Sequence, residues 1–428
     1  MNYEEALQYI HSVNWTFCNL GLERIATLCE RLGNPQDQLK FIHVAGTNGK
    51  GSVCSMLDSV LRAAGYRVGI YTSPYIKCFN ERMRVNGENI ANDELAELTE
   101  LVRPIADSME EKPTEFELIT AIAFEYFHRH HCDVVILEVG LGGRLDSTNI
   151  IKDPLLSIIT GIDFDHTALL GNTLQKIAAE KAGIVKEGCP CVYGGNSTSA
   201  CRIISAICAS RHAPFYTVDR RRFNLREMTL NGTFFDFGDY ENLCLSLLGA
   251  HQLINVQTVM TSLELLAMRG MKISETVIRA GLLAVTWPAR FEKLSDADPL
   301  IIYDGAHNPQ GVRALIKSLR YYFPDQKVNV LSGVMADKDY GEMVEMLKPV
   351  TEHAFTVTTP DNPRALNAND YAKIFSRQSI PVTPYHNLRR AVYEALDASR
   401  KNGLPLICLG SLYLYRPLSE EIAEALKK

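Results

Sequence analysis

Two kinds of apolar pattern alternate along the first two-thirds of the chain. Near-continuous apolar runs occupy residues 41–45, 68–72, 134–139, 155–160 and 190–193. Between them, 2–10, 22–32, 93–109, 116–128 and 174–185 look helical, and 116–128 carries apolar residues at Ile119, Ile122, Ala123 and Phe127. Short unbroken runs suit strands covered on both faces, and the longer spaced segments suit helices with one buried side. Strict alternation of the two predicts an open, mostly parallel sheet with helices on both faces. Ligands in such sheets gather at the carboxyl ends of the strands.

The pattern changes at 215–247, where short alternating segments with turns at Asn231-Gly232 and Gly238-Asp239 predict a small antiparallel insertion. Helical spacing returns over 253–268 and 273–283, and Trp287-Pro288-Ala289-Arg290 then breaks it. The polar stretch Ser295-Asp296-Ala297-Asp298-Pro299 reads as a hinge. Strands expected at 300–303, 328–331, 354–357 and 406–409 begin a second βα series. With 428 residues, the chain has room for more than one domain. The expectation is an α/β domain over 1–285, a linker over 286–298 and a smaller, Rossmann-like α/β domain over 299–428.

The first strand runs into Gly46-Thr47-Asn48-Gly49-Lys50-Gly51-Ser52, and an apolar helical segment follows. Strand, glycine loop and helix together make a phosphate-binding arrangement. Successive backbone N–H groups form an anion nest at the positive end of the helix dipole. Lys50 adds a charge for the β- and γ-phosphates, and the Ser52 hydroxyl suits the magnesium that accompanies a nucleotide. The loop departs from the strict phosphate-loop pattern, because Gly51 stands between the lysine and the serine and Val44 stands where a glycine is expected. Gly46, Thr47, Asn48, Gly49, Lys50, Gly51 and Ser52 are candidate ATP-binding residues.

Bulk properties narrow the classes. The net charge of −6 implies no general affinity for nucleic acid. The triplet Arg220-Arg221-Arg222 reads as a solvated turn. No run of 18 apolar residues exists, so no transmembrane helix is expected. The acidic start, Met1-Asn2-Tyr3-Glu4-Glu5, lacks a signal-peptide pattern. Eleven cysteines without framework spacing point to free thiols in a reducing cytoplasm. Cys189-Pro190-Cys191 reads as the start of a buried strand rather than a zinc site, since no second ligand pair has zinc spacing. His128, His130 and His131 close a helix, where they suit its dipole.

Several polar groups fall where strands end. Ser73 follows the second strand and Glu138 closes the third, the place of an acidic magnesium ligand in phosphate-loop proteins. A glycine loop, Gly140-Leu141-Gly142-Gly143-Arg144-Leu145-Asp146, follows Glu138. Asp163 and the pair Asp165-His166 follow the strand at 155–160. Together these groups suit two magnesium ions, which favour oxygen ligands and keep water and phosphate as the rest.

On these motifs the chain resembles the folylpolyglutamate synthase/dihydrofolate synthase family, the folate branch of the Mur ligase superfamily. The resemblance rests on Gly21-Leu22-Glu23-Arg24-Ile25, the phosphate loop, Thr72-Ser73-Pro74-Tyr75-Ile76 with Phe79-Asn80-Glu81-Arg82, and Leu137 through Asn149. Asp165-His166-Thr167, Glu180-Lys181-Ala182-Gly183-Ile184, Asp304-Gly305-Ala306-His307-Asn308-Pro309, Pro363-Arg364-Ala365-Leu366 and Gly410-Ser411-Leu412-Tyr413-Leu414 extend it through the chain. Gly51 then becomes a signature, since cell-wall Mur ligases typically carry threonine there.

The resemblance implies a P-loop NTPase-like first domain and an ATP-driven amide ligation between a folate carboxylate and L-glutamate, on tetrahydrofolate and also on dihydropteroate. A monofunctional folylpolyglutamate synthase is the alternative within the family. A small-molecule kinase or a nucleotide-sensing module is the alternative from another class. It further implies that Lys50, Asn255, Gln257, Arg290 and Asp304 contact ATP, with Arg290 at the γ-phosphate and Asp304 on the ribose side. Ser52 and Glu138 would hold one magnesium, and Ser73, Glu138, His166 and a carbamylated Lys181 a second. Lys50, His166, Lys181 and Arg290 form the implied catalytic set. Tyr75, Phe79, Phe116 and Asn149 would border the folate, and His307, Ser411 and Tyr413 the glutamate. A bland alternative for Lys181 is a surface ion pair with Glu180 or Glu187. The family is mostly monomeric, which sets that expectation here.

The sequence departs from the family pattern in places. Pro288-Ala289-Arg290 replaces Pro-Gly-Arg, and the alanine is expected to alter backbone freedom only mildly. Tyr415-Arg416-Pro417 follows Leu414 where a small residue and glycine are often found.

Overall fold

The structure, a computed structural model, describes residues 1–12 and 21–427. It divides into two compact units. One comprises Met1–Asn224, Phe235–Cys244 and Ile254–Val285, and the other Leu225–Phe234, Leu245–Leu253 and Thr286–Lys428.

The first unit begins with helices α1 (Tyr3–Ser12) and α2 (Glu23–Arg31), strand β1 (Phe41–Ala45), α3 (Lys50–Ala63) and β2 (Val68–Tyr71). Then come β3 (Met83–Val85), β4 (Glu88–Asn89), α4 (Asn92–Ser108), α5 (Glu115–Arg129), β5 (Val134–Glu138) and β6 (Leu156–Ile159). The short α6 (Thr167–Leu170), α7 (Leu174–Ala182), β7 (Cys191–Tyr193), α8 (Thr198–Ser210) and β8 (Phe215–Thr217) follow. One eight-stranded sheet results, in the order β4-β3-β2-β5-β1-β6-β7-β8. Its strands from β2 to β8 run parallel, and β3 and β4 add antiparallel at the edge.

β1 and β5 are buried along their whole length, as expected of central parallel strands covered on both sides. α3 packs against β1, β2 and β5, and α10 (Glu275–Ala284), which follows α9 (Gln252–Met268), packs on α3. On the other face, Phe41, Tyr71, Val135 and Leu137 join residues of α2, α4 and α5 in one apolar cluster. Ala45, Ile159, Cys191 and Tyr193 join residues of α7 and α8 in a second. α5 is held at its start by a capping box, with Thr114 accepting from the Glu117 N–H and Glu117 accepting from the Thr114 N–H. Glu117 also takes a two-pronged bond from Arg24, Nε at 3.0 Å and Nη2 at 2.9 Å. The arginine of the Gly-Leu-Glu-Arg-Ile motif therefore ties α2 to α5.

Three strands, β9 (Phe223–Thr229), β10 (Gly232–Phe237) and β11 (Tyr240–Leu245), form a sheet of their own in the order β11-β10-β9. The second unit carries β12 (Glu292–Ser295), β13 (Ile301–Asp304), α11 (Pro309–Tyr322), β14 (Val328–Ser332), α12 (Tyr340–Leu347) and β15 (Thr351–Val357). It ends with α13 (Ala368–Arg377), β16 (Val382–Tyr385), α14 (Leu388–Asn402), β17 (Leu406–Leu409) and α15 (Leu412–Leu426). Its sheet order is β12-β13-β17-β14-β15-β16, parallel except for β12. The fold class is thus the expected one, two α/β units each built on a mostly parallel sheet.

Local expectations are corrected in several places. Phe215–Thr217 belongs to the large sheet, parallel to β7, and not to the insertion. α7 stops at Ala182, because residues 184 and 185 continue the apolar pattern as buried coil. The linker expected over 286–298 contains β12. Arg220-Arg221-Arg222 is more than a solvated turn: Arg220 donates to the Gly194 carbonyl at 3.0 Å, and Arg222 grips Glu264 at 2.7 and 2.6 Å. Ala289 has φ +57°, a left-handed conformation costly for any residue with a Cβ, so the alanine is not a mild replacement. The ten described cysteines are free, and Cys18 lies outside the described residues. Among the described residues no helix is long and apolar enough to cross a membrane.

Candidate active site

The glycine loop leaves the carboxyl end of β1, and Lys50 opens α3. Gly49, just before the helix, has φ +89°, and a Cβ there would fall 2.4 Å from Asn255 Oδ1. Gly46 has φ +150°, and a Cβ there would fall 1.8 Å from Thr160 Oγ1. Both positions need glycine for conformation and for space. The loop is tied to the end of β6: the Thr47 N–H donates to the Gly161 carbonyl at 2.8 Å, and Thr160 Oγ1 donates to the Asn48 carbonyl at 2.7 Å. The Thr47 hydroxyl donates to the Asp163 carbonyl and accepts from the Asp163 N–H, both at 3.1 Å. Motif reading missed Thr160 and this Thr47–Asp163 pairing. The signal for Thr160 was a hydroxyl ending an otherwise apolar strand.

Lys50 Nζ donates back to the carbonyls of Gly46 and Thr47, at 3.2 and 3.3 Å. Ser52, in the first turn of α3, is buried. Glu138 closes β5 in register with Val44 on β1 and is buried. Its Oε2 accepts from the Ser73 N–H at 3.2 Å. The ends of β2, β5, β1 and β6 are neighbours, which brings Ser73, Glu138, the phosphate loop and Asp163 to one sheet edge.

Lys181 lies in the last turn of α7, only 5% exposed, and its Nζ donates to the Gly46 carbonyl at 2.8 Å. This excludes the surface ion pair with Glu180 or Glu187. Glu180 instead pairs with Arg144. Burial, reinforced by the charge of Lys50, pushes the Lys181 pKa down to about 7. The helix end is seated close against the glycine loop. A Cβ on Gly143 would meet the carbonyls of Glu180 and Lys181 at 2.9 Å, and one on Gly183 would meet Arg144 Cα at 2.4 Å. The Arg144 N–H donates to the Glu180 carbonyl at 2.8 Å.

His166 has φ +47° and a side chain 52% exposed, with Nε2 3.8 Å from Asp165 Oδ2. The side chain of Thr167 lies outside the described residues. Among the described residues no three His, Cys, Asp or Glu side chains converge as a cage. Asn255 and Gln257 are buried on α9, Asn255 against Gly49. Arg82 lies over the rings of Tyr75 and Phe79, 5.2 and 5.5 Å from their centroids. Phe116 is 6.0 Å from Tyr71 between centroids. Asn149 is buried, and its Nδ2 donates to the carbonyls of Arg144 and Gly183.

In the second unit, both carboxylate oxygens of Asp304 serve the backbone, accepting from Phe291 N–H at 2.9 Å and Ala306 N–H at 2.8 Å. Burial pushes its pKa up to about 6, against the opposing pull of Arg290. Asp304 therefore fastens the 289–291 segment to the end of β13. Arg290 Nη1 donates to the Ala289 carbonyl at 3.3 Å. His307 Nδ1 donates to the Gly305 carbonyl at 2.7 Å, which fixes its tautomer. Ser411 is buried and caps α15, accepting from the Tyr413 N–H at 3.1 Å, while Tyr413 is 48% exposed.

Residues 44–263 match the Mur ligase middle domain, and residues 289–412 match the Mur ligase glutamate ligase domain. A folylpolyglutamate synthase of Lacticaseibacillus casei is 38% identical, with 97% of each chain covered. A dihydrofolate synthase/folylpolyglutamate synthase of Bacillus subtilis is 36% identical over 98% of this chain and 99% of its own. The folylpolyglutamate synthase of Mycobacterium tuberculosis, solved with ADP and AMPPCP, superposes with a TM-score of 0.87 at 29% identity, covering 99% of each chain. A likeness this strong over nearly the whole length places the chain in the Mur ligase family, in the branch of the folylpolyglutamate and dihydrofolate synthases.

Proposed function

We propose that this protein is an ATP-dependent ligase that joins L-glutamate to the carboxylate of a reduced folate through an acyl phosphate. The observation that carries the reading is the sheet edge where the phosphate loop, Lys50, Ser52, Glu138, Ser73 and Lys181 meet. A carboxylate cannot lose oxide when an amine attacks it. Transfer of the γ-phosphoryl group gives it a leaving group, and the glutamate amine then displaces phosphate. Such transfer depends on positioning and on offsetting negative charge. The loop amides and Lys50 supply both for the β- and γ-phosphates, and the relatives solved with ADP and AMPPCP support ATP as the nucleotide. Residues 1–285 hold the nucleotide and folate and 299–428 the amino acid, with 286–298 as a linker whose β12 joins the second sheet.

The donor set fits magnesium. Ser52 and Glu138 offer a hydroxyl and a carboxylate without a closed protein cage, as suits an ion that keeps water and phosphate oxygens. Ser73, Glu138, His166 and carbamylated Lys181 would hold a second. When bound, these ions offset phosphate charge. Lys181 as an ammonium would oppose that role. Its lowered pKa leaves neutral amine at physiological pH, and neutral amine adds carbon dioxide to give a carbamate and release a proton. Arg290 reaches the γ-phosphate, Asn255 and Gln257 face the nucleotide, and Asp304 acts on the ribose side through the segment that it fastens. Tyr75, Phe79, Phe116 and Asn149 border the folate; His307, Ser411 and Tyr413 border the glutamate.

The test is ADP release by purified protein with Mg-ATP, glutamate and either tetrahydrofolate or dihydropteroate. Release that needs all three substrates supports the ligase, and release without an acceptor overturns it. Product from dihydropteroate establishes the dual activity, and product from tetrahydrofolate alone establishes the single one.

A further inference from the structure

One imidazole interrupts the apolar run of β1. His43 is fully buried and is in register with Leu137 on β5 and Ser157 on β6. Residues in register project from the same face of the sheet. That face carries the two apolar clusters described above, one reaching Phe41 and Leu137 and the other Ala45 and Ile159. His43 lies between Phe41 and Ala45 on the same side of the same strand, so it marks a polar seam where the two clusters meet.

The seam is a chain of hydrogen bonds. His43 Nε2 lies 2.9 Å from Thr148 Oγ1, and the Thr148 hydroxyl donates to Asp146 Oδ1 at 2.5 Å. Asp146 also accepts from the Thr148 N–H at 3.0 Å and the Leu141 N–H at 2.8 Å. A threonine has one hydroxyl hydrogen, here committed to the carboxylate. Its oxygen must then accept from His43, so the imidazole carries its hydrogen on Nε2. Burial, with the nearby charge of Lys186, holds the His43 pKa down to about 3, which keeps the ring neutral. Its Nδ1 is buried without a hydrogen-bond partner among the described residues. An orphaned ring nitrogen is unfavourable in a core, so packing alone gives no reason for an imidazole here. The Nε2 bond does.

We propose that His43, Thr148 and Asp146 form a positioning chain that sets the glycine loop 140–146 relative to β1 and, through the loop, places Glu138 and Lys181. The chain starts three residues before Gly46 and ends on the loop that begins two residues after Glu138. The same loop touches the carbonyls of Glu180 and Lys181 through Gly143. Both sides of the nucleotide edge are thus referred to one strand. The importance of Glu138 and Lys181 rests on the ligase reading above; the bonding chain does not.

The test compares His43→Leu, His43→Gln, Thr148→Val and Thr148→Ser in the full-length protein. Glutamine places an amide donor near the position of Nε2, and leucine places none. The expected result is a tenfold or larger fall in kcat for His43→Leu and Thr148→Val, with the KM for ATP within about twofold. His43→Gln and Thr148→Ser should recover most of the loss. The double variant His43→Leu/Thr148→Val should be no slower than the worse single variant, since one chain is broken once. Hydrogen exchange without substrates should quicken at amides 140–146 in His43→Leu and remain unchanged elsewhere in the first unit. Exchange is independent of activity, so a protein inactive as a ligase would overturn the earlier reading and leave this measurement decisive. Unchanged loop exchange in both His43→Leu and Thr148→Val overturns the proposal, as does exchange raised equally throughout the unit with no rescue by glutamine. If His43→Leu does not fold, the Thr148→Val and Thr148→Ser pair makes the same comparison.

Discussion

Lys50 and Lys181 donate to the same oxygen. The Gly46 carbonyl receives one Nζ at 3.2 Å and the other at 2.8 Å. Burial, reinforced by the repulsion of a second ammonium group on the same acceptor, lowers the pKa of Lys181 to about 7. Conversion of Lys181 to a carbamate would turn that repulsion into attraction.

Replacing Lys181 by arginine should therefore abolish ligation, by about a hundredfold or more on the scale of lost positioned groups, because a guanidinium stays charged and forms no carbamate. Labelling with 13C-bicarbonate checks the modification directly: a carbamate carbon resonance is expected in the wild type and not in Lys181→Arg. Full activity in the arginine variant would refute the assignment. The lowered pKa also makes a stability statement. Below about pH 7 Lys181 is charged in both folded and unfolded states, and the folded state bears the whole cost of the buried charge. Between about 7 and the unfolded value of 10.5 the unfolded chain binds more protons, so stability rises with pH. In carbonate-free buffer, where Lys181 stays unmodified, Lys181→Met should accordingly exceed the wild type in urea stability most at pH 6 and lose that advantage towards pH 10.

Gly49→Ala sets a methyl group against Asn255 in a backbone conformation that alanine resists. The expected outcome is a loss of about 1–3 kcal/mol in stability and a weaker grip on nucleotide, seen as at least a tenfold rise in the Kd for an ATP analogue by calorimetry. A variant with native affinity would show that the loop relaxes without harm.

Ala289→Gly should act in the opposite sense. The position already lies at φ +57°, where an L-residue costs about 1–2 kcal/mol over glycine. Part of that gain is lost to the freer unfolded chain. A net stabilisation of about 0.5–1 kcal/mol is expected, read as a higher denaturant midpoint with unchanged slope.

Asp304 accepts two N–H groups in a buried setting, and its pKa is raised to about 6. The folded state thus binds its proton more tightly than the unfolded chain, whose value is 3.8. This contribution to stability is full below about pH 3.8 and lost as the pH rises through 6. Asp304→Asn removes that dependence but turns an NH2 towards a backbone N–H, at a cost of about 1–3 kcal/mol. The difference in stability between variant and wild type should be largest near pH 4 and shrink by pH 7; a difference that does not vary with pH would contradict the assignment.

The central strands were legible because their burial leaves almost only apolar residues. Residues 41–45 and 134–138 need no partner to be recognised. β4 and β16 were not, since Glu88–Asn89 is exposed and Val382–Tyr385 only half-buried. Such edge strands exist through pairing, which leaves little trace in their own composition. Glycine spacing pointed to the phosphate loop, and Glu138 stood out as a carboxylate ending an apolar run. Thr160, and the Thr47 hydroxyl as a tie to Asp163, were hidden because one hydroxyl at a strand end or in a turn reads as an ordinary cap. His43 passed as part of an apolar run, because its partners Thr148 and Asp146 lie more than one hundred positions away. Asp304 shows a related limit: the motif fixes a carboxylate in place and says nothing of how many backbone amides it already serves.

The meeting of Gly143 with the end of α7 has a mechanical side. Where two segments touch through side chains, rotamer changes absorb small displacements. Here the main chain at Gly143 and Gly183 comes close to the main chain of the facing segment, which leaves little slack to absorb them. A pull on the 140–146 loop is handed to Lys181 almost undiminished, so a one-residue insertion in that loop should be felt at the lysine more than a larger one in the exposed β3–β4 turn.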